Sequence, residues 1–397
     1  MTGARLSRGV SLIELMIALL IGSLLILGLV QVFSASRTAY QLSEGMSRVQ
    51  ENGRFALDYL QRDIRLGGHF GCVNDQAHWV KDATEGVQVH LGTGLALTHP
   101  LNFSVSVQGY EATGTAPGNS LAIGSATAGW NPGLPAAISG LSVPPIAGSD
   151  VLVLRYLGAR GTPVTSITGS AGAEVLNFPA AGWVGLTEEG VTSPTLYGIA
   201  DCSHASVFPG TGSSGQVSVS SGIVSPATGL LGRYTAHPSG QTLLYRANSI
   251  VYYVGLNPVG EPALYRARAT SAGGYGVPEE LVEGVESLQL LFGQDATPQL
   301  GPTTPPVGNI TSQNTAATLL AGAANDVQRA NQWRRVGLVQ VGLLMRSPQR
   351  AAAPDITDAS NHLRVLGTVF QPPATDDGRF RASYETTIAL RNRLFGN

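Results

Sequence analysis

The stretch from residue 10 to residue 30 limits what this chain can become. Its 21 residues hold only Ser11, Glu14 and Ser23 as polar side chains, and residues 15–30 carry no charge. That is close to the roughly 20 apolar residues a helix needs to cross a bilayer. Arg5 and Arg8 precede the run and no acid does, so the positive-inside rule keeps the first residues cytoplasmic and carries the remainder across the membrane. An ordinary secretory signal would be cut after the apolar stretch, where Phe33-Ser34-Ala35-Ser36 is the available site. Glu14 suits neither a plain anchor nor a plain signal. An intramembrane carboxylate costs about 2.5 to 3.5 kcal/mol on insertion scales, which marks it as kept for a partner.

Periodicity continues past the bilayer. Met46, Val49, Gly53, Leu57, Leu60 and Ile64 recur at three and four residues, while Glu44, Arg48, Glu51, Asp58, Arg62 and Arg65 fall mostly elsewhere, as on an amphipathic helix. No proline occurs before Pro100, and Gly67-Gly68 is a stop signal. One helix over residues 10–66 would be about 85 Å long. Its first part, residues 10–33, is apolar all round and suits lipid, then copies of itself. Residues 34–67 carry one apolar stripe and suit docking on a sheet of the same chain. A free coiled coil would need sustained heptads, which the alanine- and glycine-broken stripe lacks.

Beyond Gly68 the pattern turns to strands. Residues 150–157, 241–246, 249–254, 287–292, 336–346, 362–370 and 380–391 are apolar or alternating runs bounded by Gly, Pro, Asn or Asp, as in one or two antiparallel sheets. Alternation is clearest in Val339-Gln340-Val341 and across residues 379–386, which predicts strands with one wet face. The Gly/Ser-rich residues 209–222 and the Pro/Thr/Asn-rich residues 301–318 read as surface loops. Residues 314–333 read as a short helix with Leu319, Leu320, Ala323 and Val327 on one side. The fold class expected is α+β: a long N-terminal helix packed on a C-terminal antiparallel β-sheet domain.

Site chemistry is sparse. With 24 Lys+Arg against 26 Asp+Glu, a net charge of −2 and the single lysine Lys81, the chain has no basic stripe to track phosphates, which argues against a nucleic-acid partner. Cys72 and Cys202 belong to no CxxC or Cys/His cluster, and the histidines show no metal-ligand spacing. There is no GxSxG, Walker A or HExxH, so no catalytic residue, metal or cofactor is expected and the chain does not read as an enzyme. Ser203-His204 reads as a surface turn. Asp355, Asp358 and the Asp376-Asp377-Gly378 turn offer oxygens to calcium but lack the EF-hand pattern and read as solvated turns. Tyr245-Arg246 and Tyr265-Arg266 read as packing and capping a sheet. Past the membrane the space is oxidising, so an even pair of cysteines points to a Cys72–Cys202 disulfide, with buried free thiols as the alternative.

Arg8-Gly9-Val10-Ser11-Leu12-Ile13-Glu14-Leu15 resembles the class III leader of type IV pilins and pseudopilins. The resemblance implies cleavage by a prepilin peptidase between Gly9 and Val10, N-methylation of Val10, and Glu14 at the fifth position of the mature chain; Val10 stands where the family usually has phenylalanine. Cleavage frees a cationic α-amine on Val10, and against the Glu14 of a neighbouring subunit it would set the axial register of assembly; the alternative is a Glu14 that reaches the cytoplasmic headgroups. Residues 54–72, Ile199-Ala200-Asp201-Cys202, Ala263-Leu264-Tyr265-Arg266, residues 280–286, residues 341–347 and residues 384–392 are similar to the type IV pilus assembly protein PilW family.

That family is one of minor pilins, and membership implies a pilin-like fold. It divides the chain into a leader (residues 1–9), a long helix (10–67, with 10–33 transmembrane and 34–67 amphipathic) and a periplasmic β-rich domain (68–397) with loop insertions near 205–230 and 293–318. Implied partners are other minor pilins, the major pilin, a tip-associated adhesin, the inner-membrane assembly platform and the inner-membrane lipid. The implied location is the inner membrane and then the fibre near its tip, with roles in priming, twitching motility and adhesion. A J-type pseudopilin of type II secretion shares the leader and helix, and a membrane-tethered periplasmic ligand-binding domain is the alternative of another class.

Overall fold

The computed structural model describes residues 10–74, 88–90, 95–221, 229–298, 306–351 and 362–394. One helix, Leu12–Leu66, runs for 55 residues, about 82 Å at 1.5 Å per residue. It begins two residues later than the apolar run because Ser11 is extended and its amide donates to the Glu14 carboxylate at 3.4 Å, in the Ser-x-x-Glu order of a capping box. It ends at Leu66, and Gly68 at φ +78° turns the chain away through a conformation that favours glycine.

The remainder is mostly antiparallel strand. A large branched sheet is organised on the strand Leu243–Leu256. One of its edges pairs with Val151–Leu157; the other pairs first with Leu196–Ala200 and then with Pro262–Arg268. A second sheet has the order Ile310–Asn314, Val285–Asp295, Val336–Arg346, Arg381–Ala389. Groups of three and two strands complete the domain. Among the described residues two pairings are parallel: Gln88–His90 with His204–Ser213, and Ser120–Ala122 with Thr368–Gln371.

The second half of the helix covers the seam between the two main sheets. Val49, Ala56, Leu60 and Ile64 are fully buried in one cluster with Leu154 and Tyr252 of the large sheet and Leu290, Val341 and Ile388 of the smaller one. Burying a leucine- or isoleucine-sized side chain contributes about 1.5–3 kcal/mol, so this stripe holds the helix in place. Its membership differs from the sequence expectation. Gly45, Ala56 and Asp63 are buried where Met46 was expected, and Met46 is exposed. The helix lies so close to the domain that a Cβ on Gly45 would fall 2.5 Å from Ala351 Cβ, and one on Gly53 2.8 Å from the Tyr384 ring. Small residues therefore face the domain.

Other boundaries moved for similar tertiary reasons. The runs 241–246 and 249–254 are one strand, because Ala247 and Asn248 continue the pairing with Leu157 and Tyr156. The Gly/Ser-rich stretch expected as a loop instead supplies much of a hairpin, His204–Ser213 with Gln216–Val219. Its glycines allow close approach: a Cβ on Gly212 would lie 2.3 Å from the Tyr197 hydroxyl. The loop expected over 301–318 contains the strand Ile310–Asn314. The single helix expected over 314–333 is a turn, Ala316–Leu319, capped by Thr315, and a separate helix, Asp326–Arg334, capped by Asn325. Val327 is exposed. Residues 362–370 fold as a hairpin, Leu363–Val365 with Thr368–Gln371.

Candidate assembly helix and its clamp to the domain

Among the described residues, nothing buries the first half of the long helix. An 18-residue window near its start has mean hydropathy 2.6 and no buried residue, and Leu12, Leu19, Leu25, Leu29 and Phe33 are each more than 60% exposed. So much exposed apolar surface on one element is far beyond what a soluble monomer carries. Val10 is 74% exposed and stands just before the helix. Glu14 is exposed on the first turn, its one hydrogen bond the local one from the Ser11 amide. Among the described residues no cation pairs with Glu14. Gly9, the other residue of the expected cleavage site, lies outside the described residues, as do Asp355 and Asp358.

The second half is clamped by polar contacts as well as by the apolar stripe. The Asn52 amide donates to the Glu283 carbonyl at 3.0 Å, and the Gln61 amide to the Thr386 hydroxyl at 3.1 Å. At the centre stands Asp63, fully buried, a residue sequence reasoning did not single out. Its carboxylate accepts a hydrogen bond of 2.5 Å from the Tyr252 hydroxyl and one of 3.5 Å from Arg266. Burial, then the neighbouring Asp63 charge, pushes the Tyr252 phenol well above its ordinary pKa, so it acts as a neutral donor. Arg266 reaches on to Glu279 at 2.9 Å, and Arg62 joins Asp63 to Glu189. The available signal was Asp63 within the stripe: three residues after Leu60 and next to Ile64, an acid falls on the face that should be apolar.

A covalent link completes the junction. Cys72 and Cys202 form a disulfide with Cα atoms 4.8 Å apart. It ties the segment leaving the long helix to the turn after Leu196–Ala200. Asp201 shapes that turn by accepting from the Ser203 and His204 amides at 2.7 and 2.6 Å. The Asp376-Asp377-Gly378 turn is engaged internally: Asp376 accepts from the Gly378 amide and Asp377 pairs with Arg381 at 2.6 Å. Tyr245 and Tyr265 pack in buried clusters, while Arg246 and Arg266 belong to the charge network beside the helix.

Comparisons with known proteins match both ends of this arrangement. The family model "Type IV Pilus-assembly protein W" matches residues 251–392, and the "Prokaryotic N-terminal methylation motif" matches residues 4–30. Residues 54–72 and 199–202, where the sequence also resembled the family, lie outside both matches. A solved type IV-like pilin from Thermus thermophilus aligns at 15% identity with a TM-score of 0.21, covering 51% of this chain and 86% of that one, a superposition that carries no argument. No curated protein matches the chain. A methylation motif thus lies ahead of a region recognised as similar to the type IV pilus-assembly protein W family. That recognition supports a part in pilus assembly.

Proposed function

We propose that this chain is made as a prepilin, cut between Gly9 and Val10 and methylated on the new amine. Residues 10–33 then hold it in the inner membrane with residues 68–397 in the periplasm. The same segment later packs among other pilin helices as the subunit enters the fibre near its tip. There it would join other minor pilins and a tip-associated adhesin in a priming complex on the assembly platform, ahead of the major pilin, and so serve twitching motility and adhesion.

The observation that carries this reading is the division of a single helix into a bare apolar half and a clamped half. A bare half bearing one carboxylate four residues past a new amine is suited to register-setting. In lipid or among helices an unpaired carboxylate is costly, so the Val10 amine of an adjacent subunit would be favoured against Glu14. The test is Glu14→Leu in a strain lacking the native copy. Membrane insertion and cleavage should be normal, because the helix becomes more apolar, while incorporation into pili falls sharply. Wild-type piliation from this variant would refute the register role. Mature protein starting at Ser34 or later would refute the prepilin reading. Loss of enzyme secretion, rather than of pili, on gene deletion would assign the chain to type II secretion.

A further inference from the structure

Arg381–Ala389 is the longest edge strand among the described residues, 9 residues at the margin of the smaller sheet. It pairs with Val336–Arg346, and the bonds Leu390 N–H to Gly337 at 2.9 Å and Ser347 N–H to Phe380 at 2.8 Å bracket that pairing. In an antiparallel ladder, residues that exchange hydrogen bonds with the partner alternate with residues whose N–H and C=O turn away. Arg381, Ser383, Glu385, Thr387 and Ala389 therefore point theirs outward, and among the described residues no strand pairs with them.

Edges of this kind are usually guarded by proline, lysine, a bulge or shortness. Arg381–Ala389 has no proline, glycine or lysine and its register is unbroken, whereas the opposite edge, Ile310–Asn314, is 5 residues long and pairs through a register shift. Its two charges are engaged within the domain. Arg381 pairs with Glu286 and Asp377 at 2.7 and 2.6 Å, and the Glu385 carboxylate accepts from the Leu366 amide at 2.7 Å. Ser383, Glu385, Thr387 and Ala389 are exposed.

The direction of the strand decides what can lie beside it. A Cβ on Gly53 would fall 2.8 Å from Tyr384, and one on Gly67 3.5 Å from Leu390. Those helix positions are about 21 Å apart along the axis and the strand positions about 20 Å, so strand and helix run side by side in the same direction. Two copies joined edge to edge by a twofold axis would have antiparallel helices, and their residues 10–33 could not enter one membrane in the same sense. A neighbour with a parallel helix must instead offer a strand running toward the membrane. Ile310–Asn314 runs that way, three antiparallel steps from Arg381–Ala389, so a subunit of the same architecture can supply one.

We propose that Arg381–Ala389 accepts an antiparallel strand from a neighbouring pilin subunit whose helix is parallel to its own, extending the smaller sheet from one subunit into the next. This rests on the assembly reading above and continues, at the level of the domain, the packing proposed for the bare half of the helix.

The test uses the full chain in a strain lacking the native copy, scored by its amount in sheared pili. Ser383→Pro and Thr387→Pro each delete one outward N–H and leave the inner ladder intact, at positions where edge strands tolerate proline. The unfolding midpoint of each variant in detergent should stay within about 3 °C of wild type. Incorporation should fall about tenfold, as expected when a partner's carbonyl is left unpaired, while Thr387→Ala, which keeps the N–H, assembles normally. Benzoylphenylalanine in place of Thr387 should cross-link in intact pili to a strand of another pilin subunit, identified from the mass of the linked peptides; this result decides the matter if the proline variants unfold early. The proposal is overturned if both proline variants enter pili as wild type does, if no cross-link forms, or if the cross-link joins position 387 to the same edge of a second copy. Absence of the wild-type chain from pili would instead refute the assembly reading.

Discussion

The two halves of Leu12–Leu66 share one unbroken backbone and opposite surroundings. The first is apolar on every face and buries nothing; the second is more polar, yet lays Val49, Ala56, Leu60, Asp63 and Ile64 in full burial. Apolar character alone therefore does not decide what this chain buries. No described part of the domain buries the first half, which suits it to lipid or to other helices. The second half is kept against the domain by a narrow stripe of small and medium residues, one buried acid and a nearby disulfide.

The contrast breaks most severely at Asp63. Asp63→Ala leaves Arg266 short of a buried partner and Tyr252 without its acceptor, and losing one member of a buried pair costs about 3–5 kcal/mol. The unfolding midpoint of the full chain in detergent should drop steeply, with Asp63→Asn intermediate because it retains an acceptor for Tyr252. Equal stability of Asp63→Ala and wild type would show that the clamp is apolar only. Next is the disulfide. Cys72 and Cys202 are 130 positions apart, and replacing both by serine should cost about 2–5 kcal/mol, read as a lower denaturant midpoint with native assembly contacts on the first half unaffected. Gly53→Val should cost about 1–3 kcal/mol through overlap with Tyr384, and pairing it with Tyr384→Ala should recover part of that loss.

On the domain side, pH sharpens the comparison. Asp150 accepts from the Ala112 and Leu290 amides at 2.7 and 2.8 Å, joining strands of the two sheets. Burial raises its carboxyl to about 8. A raised folded-state value means this group's stabilising contribution is complete below the ordinary carboxylate range and is lost as pH rises toward 8. The midpoint of wild type relative to Asp150→Asn should accordingly fall between about pH 4 and pH 8; a flat difference would show that Asp150 is ionised in the fold throughout. Smallest of all is Glu14→Leu, which should shift domain stability by less than about 0.5 kcal/mol, as for a surface site away from the packing, because the first half contributes nothing to the folded domain.

Hydrophobic pattern and punctuation in the sequence were enough to show the long helix, most strands of the core and the pairing of the two cysteines. These are local signals: a run of apolar residues, a period, a glycine stop, an even thiol count in an oxidising space. The register of the stripe was less legible, because Met46 looks more apolar than Gly45 until the closeness of Ala351 and Tyr384 makes size the deciding property. The hairpin at 204–219 was hidden because its glycines read as loop, whereas they serve to let Tyr197 and its neighbours approach. Asp63, Glu189 and the arginines around them come from segments as much as 206 positions apart. No local pattern brings such charges together; they meet because a helix, a loop and a forked sheet are folded onto one another. By itself the sequence determined that an apolar helix with a lone carboxylate precedes a β-rich domain. Tertiary structure alone decided which polar groups would lie beneath the helix, since burial and the loss of water's dielectric depend on what each group is packed against.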